Sequence, residues 1–234
     1  MNILAIDTST EACSVALLRD DGEVFSAFEI VKRQHTKFLP QMMNTVLHDS
    51  QLLKGDITYC AFANGPGSFT GIRIAASTAH GIAIALDIPI ASISTLAVLA
   101  QVSLDKYSVP NVLVALDARM DEVYWAVYER DTLGLAVLKG CEKLNKLDDV
   151  FLQDIPACGT GHGWMVGGDI WRKNFLGTKA ITLDSALLPN SKALLKLAQR
   201  VIDNGTAVSG DHVSMNYLRN KVAEKSSPFL LVRG

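Results

Sequence analysis

The chain opens with the stretch MNILAIDTSTEACSVALLRDDGEVFSAFEI, residues 1–30, which predicts three consecutive β-strands. Three runs within it are rich in apolar and β-branched residues: Asn2–Asp7, Cys13–Arg19 and Glu23–Ile30. A polar turn separates the first two runs, and Asp21-Gly22 separates the last two. An Asp-Gly pair between two such runs is a strong signal for a β-hairpin. We therefore expect an antiparallel three-stranded start.

The sequence after residue 30 predicts helices alternating with strands. Its first half gives helices at Thr36–Ser50, Gly71–Leu86 and Thr95–Leu104, and strands at Ile57–Ala63 and Pro89–Ile93. Its second half gives strands at Val112–Asp117, Glu122–Glu129, Leu135–Gly140 and Trp164–Gly168, a glycine-rich loop at Ala157–Gly163, and helices at Ser191–Asn204 and near Asn216–Val222. The second half thus repeats the order of the first.

A duplicated strand-strand-strand-helix-strand-helix unit indicates an α/β protein of the actin-like, ribonuclease-H-like (ASKHA) class. Such a protein has two similar subdomains, each with a mixed sheet flanked by helices. The polar stretch around Pro110 suggests the boundary between them. We expect an N-terminal subdomain over residues 1–106, joined by part of 211–225, and a C-terminal subdomain over 107–210.

Composition indicates a soluble globular protein with a substantial core, since 49% of the residues are hydrophobic and 20% are charged. The net charge is −2, with 22 basic residues scattered among 24 acidic ones. A protein that grips nucleic acid alone usually has a basic excess or a dense basic patch. Any contact with nucleic acid is therefore expected to be indirect or shared with a partner.

The four cysteines and the apolar segments predict a cytoplasmic location without membrane attachment. Cys13, Cys60, Cys141 and Cys158 form no CxxC pair, which favours reduced thiols over a disulfide framework or a zinc site. No basic segment precedes the first short apolar run, so a secretory signal is not expected. The most apolar stretch, 71–91, is interrupted by Arg73, His80 and Asp87.

The most distinctive local pattern is GPGSFTGIR, residues 65–73, between a predicted strand and a predicted helix. One interpretation is a structural turn whose glycines allow positive φ and whose Ser68 or Thr70 caps the helix. The other is a vestigial nucleotide site, because backbone N–H groups at a helix start can hold phosphate. That site would comprise Asp7, Thr8, Ser9, Gly65, Gly67, Ser68 and Thr70. The spacing matches neither the dinucleotide fingerprint nor a Walker A loop, and both interpretations stay open.

The helix that follows this loop has small residues every four positions, at Gly71, Ala75, Ala79 and Ala83. Such a ridge lets another element approach closely. That element is either the chain's own sheet or a second chain. Because the remaining faces of the helix are also apolar, we expect burial on every side.

Catalytic residues are not evident. His35 lacks the second histidine four residues on that a metal-binding helix needs, since Leu39 stands there. No other histidine cluster and no GxSxG elbow occurs. We predict no metal, no cofactor and no catalytic residue. The stretch DARMDEVY, 117–124, suggests an Asp–Arg pair that braces a turn, or else a ligand contact. It leaves open the roles of Asp117, Arg119, Glu122 and Tyr124.

Several of these stretches together resemble the TsaB (YeaZ) family. They are ILAIDTST at the start, the helix from His35, GPGSFTGIR, DARMDEVY and Tyr217-Leu218-Arg219. The resemblance extends from the first strand to about residue 222. Met215 departs from it, because the family often has proline at that place. The resemblance implies an actin-like fold related to TsaD, which carries a His-x-x-x-His metal motif; Leu39 stands here in place of its second histidine.

The resemblance also implies a function and its partners. The protein would be a non-catalytic scaffold that binds TsaD, with the ATPase TsaE, for threonylcarbamoylation of adenosine 37 in tRNAs reading ANN codons. It would form a homodimer when TsaD is absent and would meet tRNA only indirectly. The implied pairing surface lies on the first two helices and comprises His35, Leu39, Met42, Met43, Val46, Gly71, Ile72, Ala75, Ala76, Ala79 and Ala83. The alternatives are a metalloprotease-like or actin-type nucleotide-dependent enzyme, and a stand-alone homodimeric module.

Overall fold

Two five-stranded sheets form the frame of the protein, in a computed structural model that describes residues 1–152, 156–175, 182–210 and 213–219. The first half of the chain contains β1 (Ile3–Asp7), β2 (Ala12–Leu18), β3 (Val24–Ile30), α1 (His35–Ser50), β4 (Tyr59–Ala63), α2 (Phe69–Leu86), β5 (Ile90–Ile93) and α3 (Thr95–Tyr107). The second half contains β6 (Asn111–Arg119), β7 (Glu122–Arg130), β8 (Ala136–Lys146), β9 (Cys158–Thr160), α4 (Gly163–Phe175), β10 (Thr182–Asp184) and α5 (Ser191–Asp203).

The two sheets have the same topology. The first has the order β3-β2-β1-β4-β5 and the second the order β8-β7-β6-β9-β10. In each sheet the first three strands are antiparallel neighbours, and the last two run parallel to the first strand. The hairpin predicted at Asp21-Gly22 joins β2 to β3, with Gly22 at φ +91°. The duplicated actin-like fold expected from the sequence is confirmed.

Helices α3 and α5 lie between the sheets and join them into one hydrophobic core. Helix α5 packs on β1 and β2 of the first sheet, while α3 packs on β6 and β8 of the second. The two helices also contact each other. Fully buried side chains from both sheets and both helices meet there, among them Ile3, Leu99, Val114 and Leu194. The subdomain boundary near residue 106 stays a prediction, since each helix packs on the sheet of the other half.

The outer faces of the sheets are covered by the remaining helices. Helices α1 and α2 cover the first sheet around Phe62, and α4 covers the second sheet. Helix α2 has the length and apolarity of a membrane span, a criterion that core helices of soluble proteins also meet. Its Ala75 and Ala79 are fully buried among core side chains. The buried side of α2 therefore covers the first sheet.

Three local predictions were wrong. Residues 164–168 lie in α4, which is kinked at Gly168 (φ 41°), and are not a strand. A short apolar run does not separate strand from helix by periodicity. Across the kink, the rings of Trp164 and Trp171 pack at 4.9 Å. The loop predicted at 157–163 contains strand β9. Residues 216–219 are not helical, because the Asn216 N–H donates to the Asn64 carbonyl, 2.9 Å away. Residues 220–222 of that predicted helix lie outside the described residues.

Candidate functional site

A cleft of about 800 Å³ opens between the two halves of the molecule. Its walls are formed by the β1–β2 turn, the loop before α2, the β6–β7 hairpin and the segment 216–219. The cleft therefore collects four of the stretches that the sequence singled out. For the loop at 65–73 and the hairpin at 117–124, the contacts in the cleft distinguish a structural role from ligand binding.

The β1–β2 turn directs its polar groups inward. The Asp7 carboxylate is buried and accepts hydrogen bonds from the backbone N–H of Ser9, at 2.8 Å, and from its hydroxyl, at 2.6 Å. Burial raises the pKa of Asp7 above its ordinary value. The Thr8 hydroxyl donates to the Gly71 carbonyl at 2.6 Å. Both hydroxyls are thus engaged within the protein.

The loop before α2 lies directly on this turn, and its glycines make that approach feasible. The Ser68 N–H donates to the Ser9 carbonyl at 2.8 Å. A Cβ added at Gly67 would lie 2.4 Å from that same carbonyl oxygen, and one added at Gly71 would lie 1.9 Å from the Thr8 carbonyl oxygen. Both distances are far shorter than van der Waals contact, so only glycine fits at these two positions.

The N-terminal cap of α2 also supports a structural role for this loop. The Ser68 hydroxyl accepts from the Gly71 N–H at 3.2 Å, whereas Thr70 is exposed and does not cap the helix. Gly65 has φ +102°, where a side chain would be strained. The structure thus brings the predicted nucleotide residues together: Thr8, Ser9 and Ser68 bond within this group or to Gly71, while the buried Oδ2 of Asp7 has no hydrogen-bond partner among the described residues. The geometry favours a structural turn, and nucleotide binding there stays untested.

The β6–β7 hairpin is braced by the predicted Asp–Arg pair. The Asp117 carboxylate accepts from the Arg119 backbone N–H at 2.7 Å and from its guanidinium at 2.9 Å. Three consecutive residues of the hairpin, 119–121, have positive φ between 57° and 66°. A carboxylate that holds the backbone of such a turn is a common device for stabilising it. Tyr124 lines the cleft beside it.

The segment 213–219 crosses the cleft and ties the two halves together. At its start, Asn216 bonds to Asn64 on the first half. The Tyr217 hydroxyl then accepts from the Arg73 side chain of α2 at 3.3 Å. At its end, the Arg219 guanidinium donates to the Glu122 carboxylate at 2.5 Å on the second half. Residues 213–219, which include the Tyr-Leu-Arg stretch, therefore connect the two halves of the molecule across the cleft.

Glu142 on β8 forms a second connection that the sequence did not reveal. Its carboxylate accepts from the Tyr128 hydroxyl at 2.6 Å, from the Asn216 side chain at 2.6 Å, and from the Ser94 hydroxyl that caps α3. Burial, together with the Glu142 charge, raises the pKa of Tyr128 well above its ordinary value. The predicted strand ended at Gly140, two residues short, so no local signal pointed to this glutamate.

His162 supports the hairpin from α4's side of the cleft. Its Nδ1 accepts from the Asp117 backbone N–H at 3.0 Å, which requires a neutral ring protonated on Nε2. Burial lowers the pKa of His162 below its ordinary value of 6.5. The folded protein therefore holds this histidine in the neutral form.

We predict a pH dependence of stability from His162. The unfolded chain takes up a proton as the pH falls through about 6.5, and the folded protein resists it, so stability declines from there toward the lower folded pKa. Relative to a His162→Gln variant, the wild type is expected to lose at most about 1.4 kcal/mol per pH unit between pH 7 and 5.5. Urea unfolding of both proteins at several pH values measures this difference. Parallel curves would contradict the assignment.

The faces of α1 and α2 show which predicted interface residues are accessible. All but one of the eleven are buried within this chain, and only Met43 is half-buried; the buried ones are His35, Leu39, Met42, Val46, Gly71, Ile72, Ala75, Ala76, Ala79 and Ala83. The ridge of small residues therefore faces the chain's own sheet. That these residues form a pairing surface with another chain stays a prediction; periodicity did not show that the small-residue ridge faces the sheet, because α2 is apolar on both sides.

The opposite face of α2 is the exposed one, and it is also built of small residues. Ser77, Gly81 and Ala85 recur every four residues and are exposed. A Cβ added at Gly81 would have no atom within 4 Å. Beside this face, an apolar groove of about 480 Å³ separates α2 from α1. Its walls include Met43 of α1 and Ile82 of α2.

His35, the first residue of α1, has a structural position. Its Nε2 lies 2.9 Å from the Thr10 carbonyl oxygen and 3.2 Å from that of Ala12, so it ties α1 to the β1–β2 turn. Within the part of the chain that the structure describes, no group of three or more histidine, cysteine, aspartate or glutamate side chains could hold a metal ion.

Comparisons with known proteins give a consistent picture. The family TsaD, described as tRNA N6-adenosine threonylcarbamoyltransferase, matches residues 28–157. The tRNA threonylcarbamoyladenosine biosynthesis protein TsaB of Escherichia coli K12 is 38% identical, over 97% of this chain and 99% of its own length. The protein of the same name from Haemophilus influenzae is 35% identical, over 97% and 98%. The solved structure of YeaZ from Pseudomonas aeruginosa has a TM-score of 0.83 at 35% identity, over 93% of this chain and 99% of that one.

Proposed function

Since this chain belongs to the TsaB family, we propose that it serves tRNA threonylcarbamoyladenosine biosynthesis as a non-catalytic subunit that binds and stabilises a TsaD-type enzyme. The enzyme would be the subunit that modifies adenosine 37 in tRNAs reading ANN codons, and a TsaE-type ATPase would join the pair. The complex would work in the cytoplasm. Contact between this chain and tRNA would be indirect, in line with its net charge of −2.

The observation that carries the proposal is the apolar groove between α1 and α2, together with the exposed small residues of α2. A groove of about 480 Å³ runs between the helices; Ala85 lines it, and Ser77 and Gly81 are exposed on the same helix, eight and four residues before Ala85. Small residues at the surface of a helix let a partner helix come close enough for backbone-to-backbone contact. An exposed, apolar, sterically open helix pair of this kind supports docking of another helical surface.

Three features support a non-catalytic role. The place of a second metal-binding histidine is taken by Leu39, which is buried in the core. His35 lines the cleft, but its Nε2 is engaged with the backbone carbonyls of Thr10 and Ala12. The hydroxyls of Thr8 and Ser9 are bonded to the Gly71 carbonyl and to Asp7 Oδ1, which leaves these two hydroxyls little capacity for phosphate. These contacts argue for a scaffold over an actin-type kinase.

Light scattering coupled to size-exclusion chromatography tests the proposal with the pure protein, alone and mixed with its cognate TsaD-type subunit. We expect a homodimer alone that converts to a heterodimer on mixing, because both partners would use the α1–α2 face. A chain that ignores the TsaD-type subunit would overturn the proposal. A homodimer that persists in the presence of that subunit would favour the stand-alone homodimeric module.

A further inference from the structure

Strand β3 lies at the edge of the first sheet and has an uncovered apolar face. It pairs with β2 through seven consecutive residue pairs without a bulge, and no other described strand pairs with it. Val24, Phe28 and Ile30 share one face of the strand and are between 43% and 55% exposed. Phe25 and Ala27, on the opposite face, pack against the core beneath α1. The edge therefore offers unpaired backbone groups and apolar contacts to an added strand.

The equivalent strand of the second sheet is protected, whereas β3 is not. Strand β8 occupies the position in its sheet that β3 occupies in the first. Helix α3 packs on β8, while α5 packs mainly on β1 and β2 and leaves the apolar face of β3 exposed. Strand β8 also carries Lys139, Lys143 and Lys146 and has a register shift against β7, which are usual means of preventing strand addition. Strand β3 contains no lysine, no proline and no register shift.

A groove of about 480 Å³ adjoins the exposed face of β3. Phe28 and Ile30 form one wall, and Leu187 and Leu188, which precede α5, form another. The groove also contains Lys192, which is exposed and forms no hydrogen bond or ion pair with any described residue. Apolar walls and one unpaired positive charge suit an apolar group that carries a carboxylate.

The charges along β3 give a direction to an added strand. The turn before β3, residues 20–23, carries three carboxylates, two of which pair with Arg19. Lys32 and Arg33 follow the strand, and both are exposed. The groove lies along the second half of the strand, 26–30, toward these two cations. A chain end that bears a carboxylate is therefore favoured where β3 ends and repelled where it begins, which selects a strand that runs parallel to β3.

We propose that β3 and the adjoining groove bind the C-terminal end of a partner protein as an extended strand. The partner's last residues would run parallel to β3, exchange backbone hydrogen bonds with its open edge, and place an apolar C-terminal side chain beside Phe28. The terminal carboxylate would pair with Lys192, and basic residues about four or five positions earlier would face the acidic turn at 20–23. This surface shares no residue with the α1–α2 groove, so it does not depend on the proposed function.

Fluorescence anisotropy with labelled hexapeptides tests the proposal. The probes have the sequence KKTVTX, where X is valine, leucine, isoleucine or phenylalanine, and they end in a free carboxylate. The matched controls are the same peptides with a C-terminal amide. We expect at least one acid to bind at least about 10-fold more tightly than its amide, because only the acid can pair with Lys192. The proposal fails if none of the four acids shows saturable binding up to about 1 mM, or if acids and amides bind equally.

Two exposed positions separate the parts of the site without disturbing the core. Lys192→Ala should make the acid and the amide bind equally, and Phe28→Lys should abolish binding of both. A Lys192→Ala variant that kept the tenfold preference for the acid would overturn the assignment. Gly81→Arg should leave peptide binding unchanged, and Lys192→Ala should leave binding of the TsaD-type subunit unchanged, since the two surfaces are separate. Failure of this proposal and failure of the proposed function are therefore distinguishable.

Hydrogen exchange identifies the occupant of the strand edge. A saturating acid peptide should slow the outward-facing amides of β3 by about 10-fold or more, because strand pairing gives them acceptors, and should leave the amides of β8 unchanged. Octanoate, an apolar carboxylate without a peptide backbone, should not slow them. If octanoate bound as tightly as the peptide, the groove would be a site for a small acid and the proposal would fail. Protection of β3 on raising the protein concentration without peptide would assign the edge to a second copy and would also overturn it.

Discussion

Gly71→Ala is expected to lower the free energy of unfolding by roughly 3–5 kcal/mol. The added methyl carbon would lie 1.9 Å from the Thr8 carbonyl oxygen, and that oxygen belongs to backbone that cannot rotate away. The start of α2 must then move off the β1–β2 turn. This movement breaks the hydrogen bond from the Thr8 hydroxyl to the Gly71 carbonyl and leaves buried polar groups unpaired. Native proteins have about 5–15 kcal/mol of stability in total, so the loss is severe.

Thermal and urea unfolding followed by circular dichroism measure this effect. For a protein of this length, a loss of that size corresponds to a fall in melting temperature of about 10 °C. Gly81→Ala is the matched control, because it makes the same change in the same helix at a position with no atom within 4 Å of the new carbon. It should stabilise the helix by about 0.5–1 kcal/mol. Equal stability of wild type and Gly71→Ala would contradict the packing of the loop on the turn.

The parts of the fold that the sequence predicted are those with strong local signals. The Asp21-Gly22 pair specified the β2–β3 hairpin, because its glycine supplies the positive φ that such a turn requires. Ser68 was one of two candidates for the cap of α2, and its hydroxyl does accept from the Gly71 N–H. The repeat of strand order indicated the actin-like class, since each half had to bury its own sheet face. Local chemistry and topology agree in these elements.

The parts that the sequence did not predict depend on long-range contacts. Helix α2 carries small or apolar residues on both faces, so periodicity alone did not reveal that Ala79 faces the sheet and Gly81 faces solvent. Only the position of β4 under the helix decides that question. Glu142 bonds to residues 48 and 74 positions away along the chain, and no short motif announces such a contact. The sequence therefore identified the segments that form the candidate site, but only the structure shows which side of each segment faces the cleft.

Gly81→Arg is expected to weaken binding of the TsaD-type subunit by at least about 100-fold. The new side chain would stand on the exposed small-residue face of α2, where it blocks close approach of a partner helix and buries an unpaired charge in the contact. Together these effects cost about 3 kcal/mol or more, and each 1.4 kcal/mol corresponds to a tenfold change in Kd. Isothermal titration with the purified subunit measures the change. Ala85→Arg, at another exposed position of the same face, should act similarly.

Gly81→Arg should not affect folding, so its effect on binding can be separated from any effect on stability. Position 81 has free space around it, and arginine has a higher helix propensity than glycine, so the melting temperature should not fall. Gln199→Arg on α5 is the matched control: it places the same side chain on an exposed helix position away from the α1–α2 groove and should bind normally. If Gly81→Arg and Ala85→Arg both kept full affinity, the outer face of α2 would not be the pairing surface. The heterodimer would then have to form elsewhere on the molecule, because the inner face of α2 is already covered by its own sheet.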